Sequence, residues 1–366
     1  MTKKVRKTNI LRHFILTSPT RWDTERAEQT LHLLIDHQNG SSAAKRTVDR
    51  IRDWALSKSF AVKAPRGSGM IMDRVMWVGL PEGEAHSQWI QELAEMEGVL
   101  AVSTGKDPLF KVVDPSQTDA LVTLGDAKFG KGYTSLIAGP CSVEEYEPLL
   151  QLAEQLKSSG ATALRAGAYK PRTSPYAFGG QAEEGLKILA EVSARTGLSV
   201  VTEVLDPGDV ELVAEHAHTL QIGSRNMGNG ALLRAAGGVG SPVLLKRGMS
   251  ATLSEFLHAA EFLADAGCRQ IILCERGLRH FDHDLRNLLD LSAIPALQMR
   301  THLPVVVDPS HGTGRADLVP TMMVAAAAAG ADGLLVEVHE NPPQSVSDAH
   351  QTTSVPTFQA AVKTVG

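Results

Sequence analysis

Cysteine is scarce: Cys141, Cys268 and Cys274 are the whole complement of a 366-residue chain, so they cannot all pair or form a disulfide scaffold. A reducing compartment is the expectation. Positive charge is not in excess either. The 36 Lys and Arg stand against 41 Asp and Glu for a net charge of −5, without the clustered basic surplus of a nucleic-acid binder. Long apolar runs are missing. The most apolar stretch, Met322 to Ala329, stops at Gly330 and Asp332, far short of the roughly 20 residues that span a bilayer. The basic start, Met1 to Lys7, runs into Thr8, Asn9 and His13 without the apolar core of a signal peptide. A cytoplasmic protein with no membrane or nucleic-acid partner is therefore expected.

What is present is ordinary globular composition, 43% hydrophobic and 21% charged, in a length that suggests one large domain and a smaller one. The character of the chain changes between residues 112 and 133, where Asp114-Pro115-Ser116, Gly125-Asp126 and Gly130-Lys131-Gly132 supply turn chemistry. Upstream, Phe14-Ile15-Leu16 reads as a strand and Ala27 to Ile35 and Val48 to Leu56 as helices. Met70 to Leu80 and Leu100 to Ser103 read as extended, with a helix at Trp89 to Met96 between them. Residues 1–115 are thus expected to form an α+β module of the ferredoxin-like or ACT-like kind.

Residues 116–366 alternate short aliphatic runs with Ala/Leu/Glu-rich helical stretches. The strand candidates are Leu136 to Ala138, Ala163 to Arg165, Ser199 to Thr202, Leu220 to Ile222, Val243 to Leu245, Gln270 to Leu273, Pro304 to Val307 and Leu334 to Val338. Eight such repeats predict a (β/α)8 TIM barrel. A doubly wound open sheet is the competing architecture, and it is weakened because no Gly-x-Gly-x-x-Gly follows the first strand.

Nearly every candidate strand ends in a reactive side chain: Cys141, Arg165 with Lys170 and Arg172, Glu203, Arg225, Lys246, Arg276, Asp308 with His311, and Glu337. One charged residue after a strand is usually a solvated loop residue. A succession of eight is a different matter, because a barrel gathers its C-terminal strand ends on one face. The basic members, Arg165, Lys170, Arg172, Arg225, Lys246 and Arg276, call for a multiply anionic small molecule, since guanidinium and ammonium groups match phosphate and carboxylate. A second constellation, Cys141, His311, Glu337 and Asp348, offers thiolate, imidazole and two carboxylates, donors for a divalent Mn, Fe, Co or Zn ion. Taken singly, Cys141 could be a buried small hydrophobe, His311 a loop histidine and Asp348 a helix cap. Cys268 and Cys274 read as packed thiols, and His339 shares the strand face of Glu337.

Together, the stretches Ala138-Gly139-Pro140-Cys141-Ser142, Leu164 to Thr173, Ile222 to Asn226, Leu245 to Gly248, Cys274 to Gly277, Asp308 to Gly312 and Val336 to His339 resemble the type I beta 3-deoxy-D-arabino-heptulosonate 7-phosphate (DAHP) synthases. The resemblance covers residues from about 120 to 366 in consistent order. It implies a metal-dependent transferase that condenses phosphoenolpyruvate with erythrose 4-phosphate, the first step of the shikimate pathway. It also implies that Cys141, His311, Glu337 and Asp348 hold the metal. Arg165, Lys170, Arg225, Lys246 and Arg276 would grip phosphoenolpyruvate, and Arg172 with Thr173 the sugar phosphate. Lys170 or Glu203 is expected to manage proton transfer, with Asp308 and His311 as further catalytic candidates. The related 3-deoxy-D-manno-octulosonate 8-phosphate (KDO8P) synthases resemble Lys-Ala-Asn-Arg-Ser at the sugar-binding turn, where this chain has Lys170-Pro171-Arg172-Thr173. That difference favours the four-carbon sugar over arabinose 5-phosphate. Met227 is a departure, standing where a polar residue is expected. Members of the family often carry an added domain, so residues 1–115 are expected to sense an aromatic amino acid or to oligomerise the chain as a dimer or tetramer. A silent barrel that merely senses phosphorylated metabolites is the reading from another class.

Overall fold

The structure, a computed structural model, describes residues 30–35, 41–58, 60–63, 75–79, 86–103, 109, 111–112, 121–130, 132–169, 180–282 and 284–365. The chain divides into two compact units, Thr8–Lys111 and Val112–Gly366.

In the first unit, Leu31, Leu33 and Ile35 alternate into the core with a period of two, and that alternation makes a strand. The helix expected over Ala27 to Ile35 is therefore corrected: β1 spans Thr30–Ile35. It is followed by α1 (Ser41–Ser57), β2 (Ala61–Lys63), β3 (Val75–Gly79), α2 (His86–Ala94) and β4 (Val99–Ser103). The antiparallel sheet reads β2-β3-β1-β4. This β-α-β-β-α-β order is that of the split β-α-β, or ferredoxin-like, arrangement. Ile51 and Ala55 of α1 and Leu93 of α2 pack on Leu31, Leu33, Met76 and Val78. Phe60 sits edge-on to Trp54 and Trp89, with ring centroids 5.7 and 4.7 Å away. The strand expected at Phe14-Ile15-Leu16 lies outside the described residues.

In the second unit a hairpin, β5 (Val122–Leu124) and β6 (Ala127–Phe129), precedes eight parallel strands. They are β7 (Ser135–Gly139), β8 (Ala163–Arg165), β9 (Ser199–Glu203), β10 (Thr219–Ile222), β11 (Val243–Lys246), β12 (Ile271–Glu275), β13 (Val305–Val307) and β14 (Gly333–His339). Each pairs with the next, and β14 pairs with both β13 and β7, so the sheet closes. The (β/α)8 expectation holds. These strands are buried on both faces, as parallel strands covered by helices must be, which is why they read as unbroken aliphatic runs. The hairpin turns its apolar side into the barrel. Val122, Leu124, Ala127 and Phe129 pack against Ile137, Val201, Leu244, Ile272 and Leu335. It sits at the N-terminal strand ends, since Lys128 N donates to Ser135 Oγ at the start of β7 and Thr123 N to Gln270 Oε1 just before β12. Cys268 and Cys274 are buried, as their apolar settings suggest. Among the described residues no helix is long and apolar enough to cross a membrane.

Candidate metal and anion site

With its N-terminal end plugged, the barrel opens chemistry only at the other end, where strand termini and the loops after them converge. Asp308, one residue past β13, shows how the sequence builds this end. It begins a short helix (Pro309–Thr313), and its Oδ1 caps that helix by accepting from His311 N at 2.9 Å. Its Oδ2 then holds two groups at once, Lys246 Nζ at 2.5 Å and His311 Nδ1 at 2.7 Å. Burial alone would raise the Asp308 carboxyl, but His311 and Lys246 outweigh it and hold it well below the usual carboxylate range. Burial in turn pushes the His311 imidazole down, against the pull of Asp308 and Glu337. A neutral ring with Nδ1–H on Asp308 turns the Nε2 lone pair toward Glu337 Oε1, 3.5 Å away.

Cys141, Glu337 and Asp348 bring a sulfur and two carboxylate oxygens within 4.8 Å of one another. Cys141 Sγ–H donates to Asp348 Oδ2 at 3.3 Å. Asp348 reaches the cluster from a left-handed backbone (φ 50°, ψ 32°) and caps no helix with its side chain. His311 joins the group through Glu337 rather than standing inside the three-residue cluster. The residues fit a divalent ion. A neutral imidazole and a carboxylate that face each other with lone pairs, beside a thiol and a second carboxylate, form a donor set that a cation unites.

Arg165, Lys246 and Arg276 are buried at the same end, which solvated loop residues would not be. Arg165 pairs with Glu337, and its Nε is buried without a hydrogen bond in the protein, a donor left for a ligand. Glu203 ends β9 half-buried, 3.5 Å from Gln221 Nε2. It lies so close over Gly223 that a Cβ there would come within 1.9 Å of Oε1. Arg225 is exposed on the turn after β10. Lys170, Arg172 and Thr173 lie outside the described residues. His339 faces Glu144 at 3.5 Å instead of joining the donor cluster. Met227 is buried, and its sulfur accepts from Gly248 N at 3.0 Å, which places a soft acceptor where a polar residue was expected.

Sequence reasoning missed a second layer. Arg247 Nη1 bridges Glu275 (2.8 Å) and Asp290 (3.0 Å). Ser142 and Ser347 share a 2.6 Å hydrogen bond that ties the residue after Cys141 to the residue before Asp348. Arg286 and Gln351 contact the carboxylates themselves. Ser142, Arg247 and Glu275, each adjacent to a strand-end residue already singled out, carried a sequence signal. A separate hollow of about 530 Å³, lined by Asp317, Pro343, His350 and Thr357 among others, contains none of the candidate site residues.

The closed barrel with metal-capable donors beside buried guanidinium groups defines a TIM-barrel protein equipped for small anionic ligands. More particularly, the chain belongs to the DAHP synthetase I family, whose family model matches residues 111–365. A phospho-2-dehydro-3-deoxyheptonate aldolase of Thermotoga maritima is 49% identical over 67% of this chain and 72% of its own length. A 2-dehydro-3-deoxyphosphooctonate aldolase of Acidithiobacillus ferrooxidans is 32% identical over 58% of this chain and 81% of its own. A crystal structure of DAHP synthase from Thermotoga maritima superposes with a TM-score of 0.70 at 38% identity. It covers 92% of this chain and 96% of that one, more than the barrel unit alone supplies.

Proposed function

We propose that the chain condenses phosphoenolpyruvate with erythrose 4-phosphate to give 3-deoxy-D-arabino-heptulosonate 7-phosphate and phosphate, the first step of the shikimate pathway. The observation that carries this reading is the placement of buried Arg165, Lys246 and Arg276 beside the Cys141, Glu337 and Asp348 cluster in a barrel of this family. Phosphoenolpyruvate carries a phosphate and a carboxylate, and three buried cations answer both. The sugar assignment rests on Lys170-Pro171-Arg172-Thr173, and the higher identity to the heptonate enzyme than to the octonate enzyme agrees with it.

In the reaction C3 of the enol phosphate bonds to the aldehyde carbon, water adds its oxygen at C2, and phosphate leaves. A divalent Mn, Fe, Co or Zn ion held by Cys141, His311, Glu337 and Asp348 would polarise the aldehyde oxygen. Asp308 fixes the two groups it touches. It orients His311 through Nδ1 and anchors the Lys246 ammonium that faces the anion. The orphan Nε of Arg165 donates to the same anion. Glu203 or Lys170 handles the proton of the attacking water. Losing a well-placed group of this kind costs about 100-fold in rate, so near-normal turnover in Glu203→Gln would assign the role to Lys170.

The test is consumption of phosphoenolpyruvate with erythrose 4-phosphate, run beside arabinose 5-phosphate, with EDTA and with Mn2+ restored. Metal-dependent turnover with erythrose 4-phosphate alone is expected. Preference for arabinose 5-phosphate would reassign the sugar, and no turnover in folded, metal-loaded protein would favour the sensor reading. We also propose that residues 1–115 form a regulatory module. Deleting them should abolish inhibition by Phe or Tyr and leave catalysis intact, whereas unchanged inhibition would remove the module from that role.

A further inference from the structure

We propose that Gln351 and Arg286 act as positioning residues, a hydrogen-bonded bracket that decides which oxygens of Glu337 and Asp348 are presented to the metal and so sets its affinity. This inference rests on the reading of those carboxylates as ligands.

The bracket divides each carboxylate in two. Glu337 turns Oε1 toward Arg165 and His311 Nε2, while its Oε2 accepts from Gln351 Nε2 at 2.6 Å. Asp348 turns Oδ2 toward Cys141 Sγ, while its Oδ1 lies 3.5 Å from Arg286 Nη1. The same Arg286 Nη1 donates to Gln351 Oε1 at 2.8 Å, which closes the link between the two carboxylates. Gln351 is fully buried, so its amide has no alternative partner in water. A primary amide is required there because one end must donate to a carboxylate and the other accept from a guanidinium. Glutamate would set a second anion against Glu337, and asparagine falls one methylene short.

Arg286 comes from the long loop between β12 and the helix Ala293–Gln298, which makes the bracket more than a local turn. Its neighbour Asn287, buried, donates Nδ2 to the His311 carbonyl at 2.9 Å. One loop therefore braces His311 directly, Asp348 through Arg286, and Glu337 through Gln351. Groups that orient ligands in this way typically change metal affinity about 10- to 100-fold when removed.

The test is titration of the chelator-treated full-length protein with Co2+, followed by thiolate-to-cobalt absorption that reports Cys141 directly and needs no substrate. Arg286→Gln and Gln351→Met should each weaken Co2+ binding about tenfold or more. The double variant should bind no more than about twofold worse than the poorer single, because both break one link. Turnover at saturating metal should stay within a few-fold of the parent. Arg315→Gln, a substitution of an exposed arginine paired with Asp317 on a different loop, serves as the control and should bind like the parent. Binding unchanged within twofold in both single variants, or losses that multiply in the double, would overturn the bracket. If Gln351→Met does not fold, as its melting curve in EDTA would reveal, the half-exposed Arg286 decides the matter through Arg286→Gln alone. Failure of the parent itself to bind Co2+ would remove the ligand reading and the bracket with it, an outcome distinct from equal binding by parent and variants.

Discussion

The two ends of the barrel are made of opposite materials. At the N-terminal end the β5–β6 hairpin drives Val122, Leu124, Ala127 and Phe129 into the interior and spends few polar groups on the contact. At the C-terminal end Arg165, Lys246, Arg276, Glu275, Asp308 and Glu337 are just as buried, and nearly all of them charged. Apolar burial stabilises by about 25 cal/mol per Å². Burying ions costs several kcal/mol apiece, and pairing returns that only where the geometry is good. One end thus supplies free energy that the other consumes to hold buried cations and donors together. Stability and chemistry should separate when each end is mutated alone.

The largest effect is expected from Cys141→Ala. On the proposed metal-site reading, removing this thiolate should lower turnover by about three orders of magnitude, because polarisation of a carbonyl by a metal is worth several kcal/mol. The urea midpoint in EDTA should barely move. A comparable fall in both quantities would mean that the site end also holds the fold. Phe129→Ala is the mirror experiment. Phe129 is among the largest fully buried side chains. Its truncation should cost about 3–5 kcal/mol in urea unfolding and leave the kcat of the folded fraction within a few-fold of the parent. A kcat that falls with stability would show that the plug shapes the site through the strands.

The same contrast explains what could be read in advance. The barrel was legible because β7 to β14 are buried on both faces and appear as aliphatic runs at regular spacing. Cys141, Lys246, Asp308 and Glu337 were legible because strand ends point where a barrel keeps its chemistry. Arg286 and Gln351 were not, since they stand in a long loop and a single short turn that no periodicity announces, and only the folded chain brings Gln351 to Glu337 and Arg286 to Asp348. The misreading of Ala27 to Ile35 has a local cause. Leu33, Leu34 and Ile35 in succession fit a helical stripe as well as a strand, and the choice is made by the antiparallel pairing of β1 with β3 and β4. Burial also separates the strand-end arginines: Arg225 is exposed while Arg165 and Arg276 are enclosed, although all three stand at or just past a strand end.

A smaller effect sharpens the view of the plug. Gly125 turns the hairpin with φ +55°, and a Cβ there would come within 2.4 Å of Ser199 Oγ. Gly125→Ala should cost about 1–2 kcal/mol, read as a shift in urea midpoint at constant m-value, with no change in substrate KM. A change in KM would place the hairpin in contact with the chemistry.

The smallest effect asks whether the charges of the site end carry a net cost. Glu275 is fully buried, takes Arg247 Nη1 on Oε2 at 2.8 Å and Gly277 N on Oε1 at 2.7 Å. Burial nevertheless raises its carboxyl above the usual value, outweighing Arg247 and the Gly277 hydrogen bond. The folded state then holds the Glu275 proton more tightly than the unfolded chain, whose glutamates titrate near about pH 4.3. The contribution is fully present below that pH and is lost as pH rises through the folded value. Glu275→Gln stays neutral throughout. Its stability relative to the parent should therefore improve as pH rises from about 4 to about 6, whatever the offset from its weaker hydrogen bonds to Arg247. Urea midpoints of the two proteins across that range measure the difference directly. A gap that widens in the parent's favour would mean that the Arg247 pair more than offsets desolvation, and the contrast between the two ends would then lie in chemistry alone and not in free energy.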